Sequence, residues 1–80
     1  MSSAELPTRN PADYRPTDHF RNRVRARDVP SWAIREAIER GPTRRTGSGE
    51  IEARTATPGA RYGVVLSPEE RAAITCYRID

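Results

Sequence analysis

Residues 19–41 read His-Phe-Arg-Asn-Arg-Val-Arg-Ala-Arg-Asp-Val-Pro-Ser-Trp-Ala-Ile-Arg-Glu-Ala-Ile-Glu-Arg-Gly, and this stretch decides the fold because it encodes two amphipathic helices. Residues spaced by four share one stripe of a helix. The first helix has a polar stripe of this kind, formed by His19, Arg23 and Arg27. Phe20 and Val24 lie in the neighbouring stripe, so they give this helix an apolar side to bury.

The ends of the first helix are marked by local signals. Thr17 or Asp18 is predicted to cap it, because each offers a side-chain oxygen to the free amides of the first turn. Pro30 ends it, since the residue before a proline is disfavoured in a helix. A break of a few residues must therefore separate the two helices.

The second helix is predicted to run roughly over residues 32–40. Ser31 has the chemistry of its N-cap. The apolar residues of this segment recur at helical spacing, and they are Ile34, Ala37 and Ile38, with Ala33 at the edge of the stripe. Gly41 followed by Pro42 is typical of a helix C-terminus, where a glycine adopts a left-handed conformation.

Beyond residue 43 the hydrophobic period changes from that of helices to that of strands. Three segments have strand character, 50–56, 61–66 and 72–79, and turn signals separate them at 47–49, 57–60 and 67–71. Segment 61–66 is apolar without clean alternation, which favours a central strand. Alternation in the last segment places Thr75 and Tyr77 on one face, and Cys76 and Arg78 on the other. We therefore expect an α+β fold with two N-terminal helices packed on a three- to four-stranded antiparallel meander.

The domain organisation follows from composition. Residues 1–16 contain three of the seven prolines and few apolar residues, which predicts an extended or disordered lead whose removal affects stability little. The alternative is that Leu6 and Tyr14 dock onto the body of the domain. Residues 17–80 then form a single domain.

One cysteine excludes an intramolecular disulfide and a thiolate metal site, so no metal or cofactor is expected. No apolar run reaches the length of a membrane span and no signal peptide is recognisable, which predicts a cytoplasmic protein without membrane contact.

The positive charge is carried by arginine alone. The chain has 14 arginines, no lysine and a formal charge of +3. Eight of the arginines and only three acids lie between Arg21 and Arg45, so the excess surrounds the helices. One explanation is the codon bias of a GC-rich genome. The other is an affinity for phosphate groups, because guanidinium binds phosphate in a bidentate manner.

An ordered set of features resembles a known group of proteins. The set consists of His19-x3-Arg23-x3-Arg27-x-Val29, the amphipathic helix that ends at Gly41, and the closing Ile74-Thr75-x-Tyr77. It is similar to small uncharacterised domains related to RelE/ParE-like and BrnT-like toxins of the barnase-like ribonuclease fold class. Members of the group often carry glycine where this chain has Asp28. The resemblance covers about residues 17–79 and implies an RNA-directed activity.

Metal-independent RNA cleavage needs a base, an acid and cations at the phosphate. His19 is the only histidine, so it is the candidate acid or base. The candidate catalytic set is His19, Arg23, Thr75 and Tyr77. The candidate nucleic-acid-binding set is Arg21, Arg23, Arg27, Arg44, Arg45 and Arg78.

Structural roles compete with each functional assignment. His19 is otherwise a capping or packing residue. Arg23 and Arg27 otherwise extend their side chains across the sheet edge or pair with Glu50 and Glu52. Trp32 is either a cover over the helix junction or a platform for base stacking. The sequence therefore predicts a toxin-like ribonuclease or RNA-binding protein of a toxin–antitoxin system. The alternatives are a non-catalytic nucleic-acid-binding module and a protein that engages an acidic partner such as an antitoxin.

Overall fold

A computed structural model describes residues 5–56, 59 and 61–79 as two helices, a short 3-10 helix and five strands. The bounds are a 3-10 helix Pro11–Asp13, β1 Arg15–Pro16, α1 Asp18–Ala26, α2 Ser31–Arg40, β2 Thr43–Arg45, β3 Ile51–Arg54, β4 Tyr62–Ser67 and β5 Ala72–Arg78. The predicted α+β class is confirmed. None of the described helices is long and apolar enough to cross a membrane.

The sheet differs from the predicted one in size and in strand direction. Its order is β1-β5-β4-β3-β2. The last four strands form an antiparallel meander, but β1 pairs with β5 in parallel, with Arg15 opposite Ala72. The sheet is therefore mixed and five-stranded, and the expectation of a three- to four-stranded antiparallel meander was wrong. A two-residue edge strand, whose partner is more than fifty residues away, leaves no local periodicity to detect.

Both helices pack on the same face of the sheet, and we call this the helix face. A single apolar cluster joins Phe20 of α1 and Ile38 of α2 to alternating residues of the strands, namely Ile51, Ala53, Val64, Leu66 and Cys76. No described helix or strand packs on the second face, which we call the open sheet face. β4 lies at the centre of the sheet, as its uninterrupted apolar sequence predicts.

The first helix begins as its sequence predicts. Thr17 is the N-cap, and its hydroxyl oxygen accepts a hydrogen bond from the backbone N–H of Phe20 at 3.1 Å. The same hydroxyl donates to the carbonyl of Ala73 at 2.9 Å, so the cap also fastens α1 to β5. Past the helix end, Asp28 has a φ of 53°, a left-handed conformation that an aspartate tolerates better than most residues.

The second helix differs at both ends from the local rules. It begins at Ser31 itself, with Pro30 as an N-cap that makes no side-chain hydrogen bond. Gly41 is extended, with a φ of −71°, so it is not a left-handed C-terminal glycine. A Cβ at this position would lie 1.9 Å from the carbonyl oxygen of Arg54. Glycine is therefore required here by the close approach of β3 and not by backbone conformation.

Residues 5–16 are not an unattached lead. Leu6 and Tyr14 are buried in the apolar cluster, and the Tyr14 hydroxyl donates to the carbonyl of Thr8 at 2.6 Å. The guanidinium of Arg9 donates to the carbonyls of Ile38 and Gly41 at 3.2 and 2.9 Å. These bonds satisfy carbonyl groups that the C-terminus of α2 leaves without helical partners. The segment thus belongs to the domain that was predicted to begin at residue 17.

The turns lie where the sequence signals place them. Residues 47–49 connect β2 to β3, and residues 68–71 connect β4 to β5. The predicted turn at 57–60 lies outside the described residues except for Gly59.

Candidate functional site

The surface of α1 carries half of the predicted nucleic-acid-binding residues. We call it the α1 surface, and it consists of His19, Arg21, Arg23, Arg25 and Arg27. All five side chains are exposed except that of Arg23, which is half-buried. Within the part of the chain that the structure describes, none of these arginines forms an ion pair with an acid. The proposed pairing of Arg23 and Arg27 with Glu50 and Glu52 is therefore not observed among these residues.

Arg23 lies on the helix face, near the buried thiol of β5. Burial raises the pKa of the Cys76 thiol, and the positive charge of Arg23 acts against this shift. Arg78 alternates in register with Cys76, so it belongs to the same face of the sheet.

Thr75 and Tyr77 alternate with Cys76, so they lie on the open sheet face. The sheet itself therefore separates them from α1. The structure brings His19 and Arg23 together on one helix, and Thr75 and Tyr77 together on one strand. It does not bring the four residues into one cleft.

The open sheet face carries a cluster of three charged residues on two neighbouring strands, Arg44 of β2 and Glu52 and Arg54 of β3. In the register of the sheet, Arg44 lies opposite Glu52, Glu52 lies opposite Val65, and Val65 lies opposite Thr75. Glu52 is 2% exposed, and it is the only buried charged side chain among the described residues. The side chains of Arg44 and Arg54 are 67% and 41% exposed. A buried carboxylate is thus covered by two arginines that remain in contact with solvent.

The two arginines contact different oxygens of Glu52. Nε of Arg44 donates to Oε1 at 2.5 Å. Nε of Arg54 lies 3.4 Å from Oε2, which is close enough for an ion pair. This second contact lacks hydrogen-bond geometry, so Oε2 and Nε of Arg54 are both buried without a hydrogen-bond partner. Such atoms are uncommon in folded proteins and call for an explanation.

Tyr77 extends from β5 across the central strand. It pairs with Gly63, where a Cβ would lie 2.7 Å from Cζ and 2.9 Å from the hydroxyl oxygen of the tyrosine. The ring therefore occupies the space that the missing side chain of Gly63 leaves. Arg54 pairs with Gly63 from the other side, so the phenol lies next to the guanidinium-bearing strand.

Trp32 lies away from both groups, at the start of α2. It is 46% exposed, and its ring meets that of Tyr62 edge-on, with centroids 6.0 Å apart. It thus covers Tyr62 with one edge and leaves the rest of its surface in solvent. Both of its predicted roles stay open.

The open sheet face includes residues that sequence reasoning missed. Glu52 and Arg54 were not candidates, because alternation along the strand predicts only that they share a solvated face. The available signal was their i, i+2 spacing, which places opposite charges side by side. Arg45 is exposed at the sheet edge, and its guanidinium donates to the carbonyl of Gly49 at 3.2 Å.

Comparisons with protein families, with curated proteins and with solved structures found no match. Among the described residues, no group of three or more His, Cys, Asp or Glu side chains is arranged to hold a metal ion.

Proposed function

We propose that the protein binds RNA through the α1 surface. The observation that carries this proposal is the concentration of four arginines within seven residues, Arg21 to Arg27, without an ion pair to any described acid. Their guanidinium groups are therefore available to an external anion. By contrast, Arg44 and Arg54 are already paired with a carboxylate.

The chemistry of these side chains suits a phosphate backbone. Guanidinium is planar, permanently charged and able to bind phosphate through two parallel hydrogen bonds. Arg23 and Arg27 are one helical turn apart, so they present two such groups along one side of α1. The resemblance to RelE/ParE-like and BrnT-like toxins supports RNA as the nucleic acid.

The test is the salt dependence of binding to labelled single-stranded RNA. Contacts to three or four phosphates predict a slope of log affinity against log salt of about −2 to −3, from roughly −0.7 per contact. Replacing Arg23 or Arg27 with glutamine should reduce the magnitude of the slope by about 0.7 each. Arg35→Gln is the control, because Arg35 is exposed, as Arg27 is, but lies on α2. An affinity that does not change with salt contradicts the proposal.

Metal-independent cleavage is the second candidate, and one observation favours it. His19 and Arg23 are four residues apart on α1, so a proton-transfer group adjoins a phosphate-binding group. If His19 is the acid or base, His19→Ala should lower the cleavage rate by about 10² or more. The free energy of unfolding of the His19→Ala variant should change by less than about 1 kcal/mol, because the side chain of His19 is exposed.

Thermal unfolding and RNA cleavage measured on the same preparation separate the two candidates. RNA binding without cleavage by the wild-type chain selects a non-catalytic module, and the separation of His19 from Thr75 and Tyr77 supports that outcome. Release of bound RNA by an acidic protein, with the same arginine variants affected, indicates that a partner such as an antitoxin shares the α1 surface.

A further inference from the structure

We propose that the open sheet face holds a second anion site, which binds a phosphate group between Arg44 and Arg54 with the hydroxyl of Tyr77 as a further donor. Glu52 is the positioning residue of this site. The site lies across the sheet from α1, so it does not depend on RNA binding by that helix.

Glu52 is a buried charge on a face of the sheet where no described element requires its burial. Val64, Leu66 and Ile51 fill the helix face with apolar side chains. The open sheet face has no described element to pack against, yet Glu52 is more completely buried than the arginines around it. Replacing a buried ion pair with apolar residues is often neutral or stabilising. Stability alone therefore does not account for this carboxylate.

Glu52 contacts both arginines in the same way. It contacts each of them through Nε, the inner nitrogen of the guanidinium group. The ion pairs with Glu52 thus do not engage the terminal nitrogens of either group, and no hydrogen bond joins those nitrogens to a described residue. The two side chains are 67% and 41% exposed. Those terminal nitrogens are the donors that bind phosphate oxygens in a bidentate manner.

The cluster combines a net positive charge with a further hydrogen-bond donor, the hydroxyl of Tyr77. Two guanidinium groups and one carboxylate leave the cluster with an excess positive charge, which a bound anion neutralises. Tyr77 adds an O–H donor, because its ring lies over Gly63 and Gly63 is paired with Arg54. Neighbouring strands are about 4.8 Å apart, which brings the phenol within reach of an anion held by Arg54.

A further feature of the cluster is the unpartnered oxygen Oε2 of Glu52. It lies 3.4 Å from Nε of Arg54, and neither atom has a hydrogen bond. A small rotation of the Arg54 guanidinium completes this bond. An anion on the outer side of Arg54 favours such a rotation, because it fixes the terminal nitrogens while Nε turns towards the carboxylate. Anion binding thus completes the hydrogen bond between Arg54 and Glu52.

The experiment is a titration of the full ¹⁵N-labelled chain with inorganic phosphate at constant ionic strength, followed by NMR. We expect saturable shifts at the arginine Nε–H groups of Arg44 and Arg54 and at the backbone of Tyr77. Arg44→Gln should weaken binding by about tenfold, the equivalent of one good charge-assisted contact. Arg45→Gln is the matched control, because the adjacent residue on β2 points to the other face, and it should bind phosphate as the wild type does. The absence of saturable shifts, or equal effects of the two variants, overturns the proposal.

Two further variants test the roles of Glu52 and Tyr77. If Glu52 acted only through its charge, Glu52→Gln would remove a repulsion and tighten phosphate binding. A positioning role predicts the opposite, weaker binding by protein that is still folded, and tighter binding overturns that role. Tyr77→Phe keeps the ring over Gly63, so it should fold normally and bind phosphate more weakly.

A dinucleoside monophosphate in place of inorganic phosphate identifies the source of the phosphate group. Binding of the diester to the same residues indicates a nucleic-acid backbone. Binding of the dianion alone indicates a small phosphorylated ligand. Both outcomes support the site, and binding of neither overturns it.

Discussion

Replacing Gly41 with alanine is predicted to destabilise the protein severely, because the new Cβ would lie 1.9 Å from the Arg54 carbonyl oxygen and 2.7 Å from that of Ala37. Both obstacles are backbone atoms, so no side chain can rotate to relieve the contact. The α2–β2 connection and β3 must move apart by about 1 Å or more to reach ordinary contact distances. That movement strains the hydrogen bond from the Arg54 N–H to the Pro42 carbonyl, now 3.1 Å long.

The expected loss is about 2–4 kcal/mol, from about 1–3 for overpacking and about 1 for the hydrogen bond. The total stability of a domain of this length is about 4–12 kcal/mol. The melting temperature should therefore fall by roughly 10–30 °C, at about 4–8 °C per kcal/mol. Urea denaturation followed by circular dichroism measures the loss directly. Gly47→Ala is the matched control, since nothing lies within 4 Å of a Cβ there.

A third variant decides between two reasons for the glycine. A left-handed C-terminal glycine is replaced by asparagine at low cost, because asparagine tolerates a positive φ. A glycine that is required by close approach of backbone atoms cannot be replaced by asparagine at low cost. Gly41→Asn should therefore be at least as unstable as Gly41→Ala. An asparagine variant with near wild-type stability, or an alanine variant that loses less than about 1 kcal/mol, refutes the reasoning.

Three other changes probe stability. Arg71 has a φ of 51°, so Arg71→Gly should stabilise the protein by about 0.5–1 kcal/mol in urea denaturation; a loss contradicts this. Tyr14→Ala should lower the free energy of unfolding by about 3–5 kcal/mol. Deletion of residues 1–14 should lower the melting temperature far more than the sequence predicts, because this segment is attached to the core. Burial raises the pKa of the Cys76 thiol above its ordinary value, so the folded state retains the proton to higher pH than the unfolded state, and stability should fall as pH rises above that ordinary value. Cys76→Ala should remove that part of the alkaline slope; an unchanged slope contradicts the assignment.

The helices and the central strand were predictable because their signals are local. Thr17 caps α1 and the apolar stripe of α2 includes Ile38 as its spacing indicates. The pairing of β1 was not predictable, because two residues carry no period and the partner is distant in sequence. Docking of Leu6 and Tyr14 was one of two alternatives, and the sequence could not decide it for a similar reason, since the rest of the apolar cluster is distant in sequence.

The candidate site was predictable only in part. Alternation correctly separated Tyr77 from Arg78, but it could not indicate which side of β5 faces α1. That choice depends on how the helices dock, and it is what separates His19 from Thr75. The burial of Glu52 was equally hidden, because its contact with Arg44 depends on how β2 pairs with β3.

The pairing of β1 with β5 has a consequence for folding during synthesis. Arg15 cannot form its pair until Ala72, 57 positions later, has been synthesised. At a synthesis rate of about 5–20 residues per second, that interval lasts roughly 3–11 s. Throughout it, α1 also lacks the strand to which Thr17 fastens it. The nascent chain therefore leaves the ribosome with its arginine-rich helix unanchored and its apolar stripe uncovered. Folding of this domain is therefore completed late, once β5 has emerged.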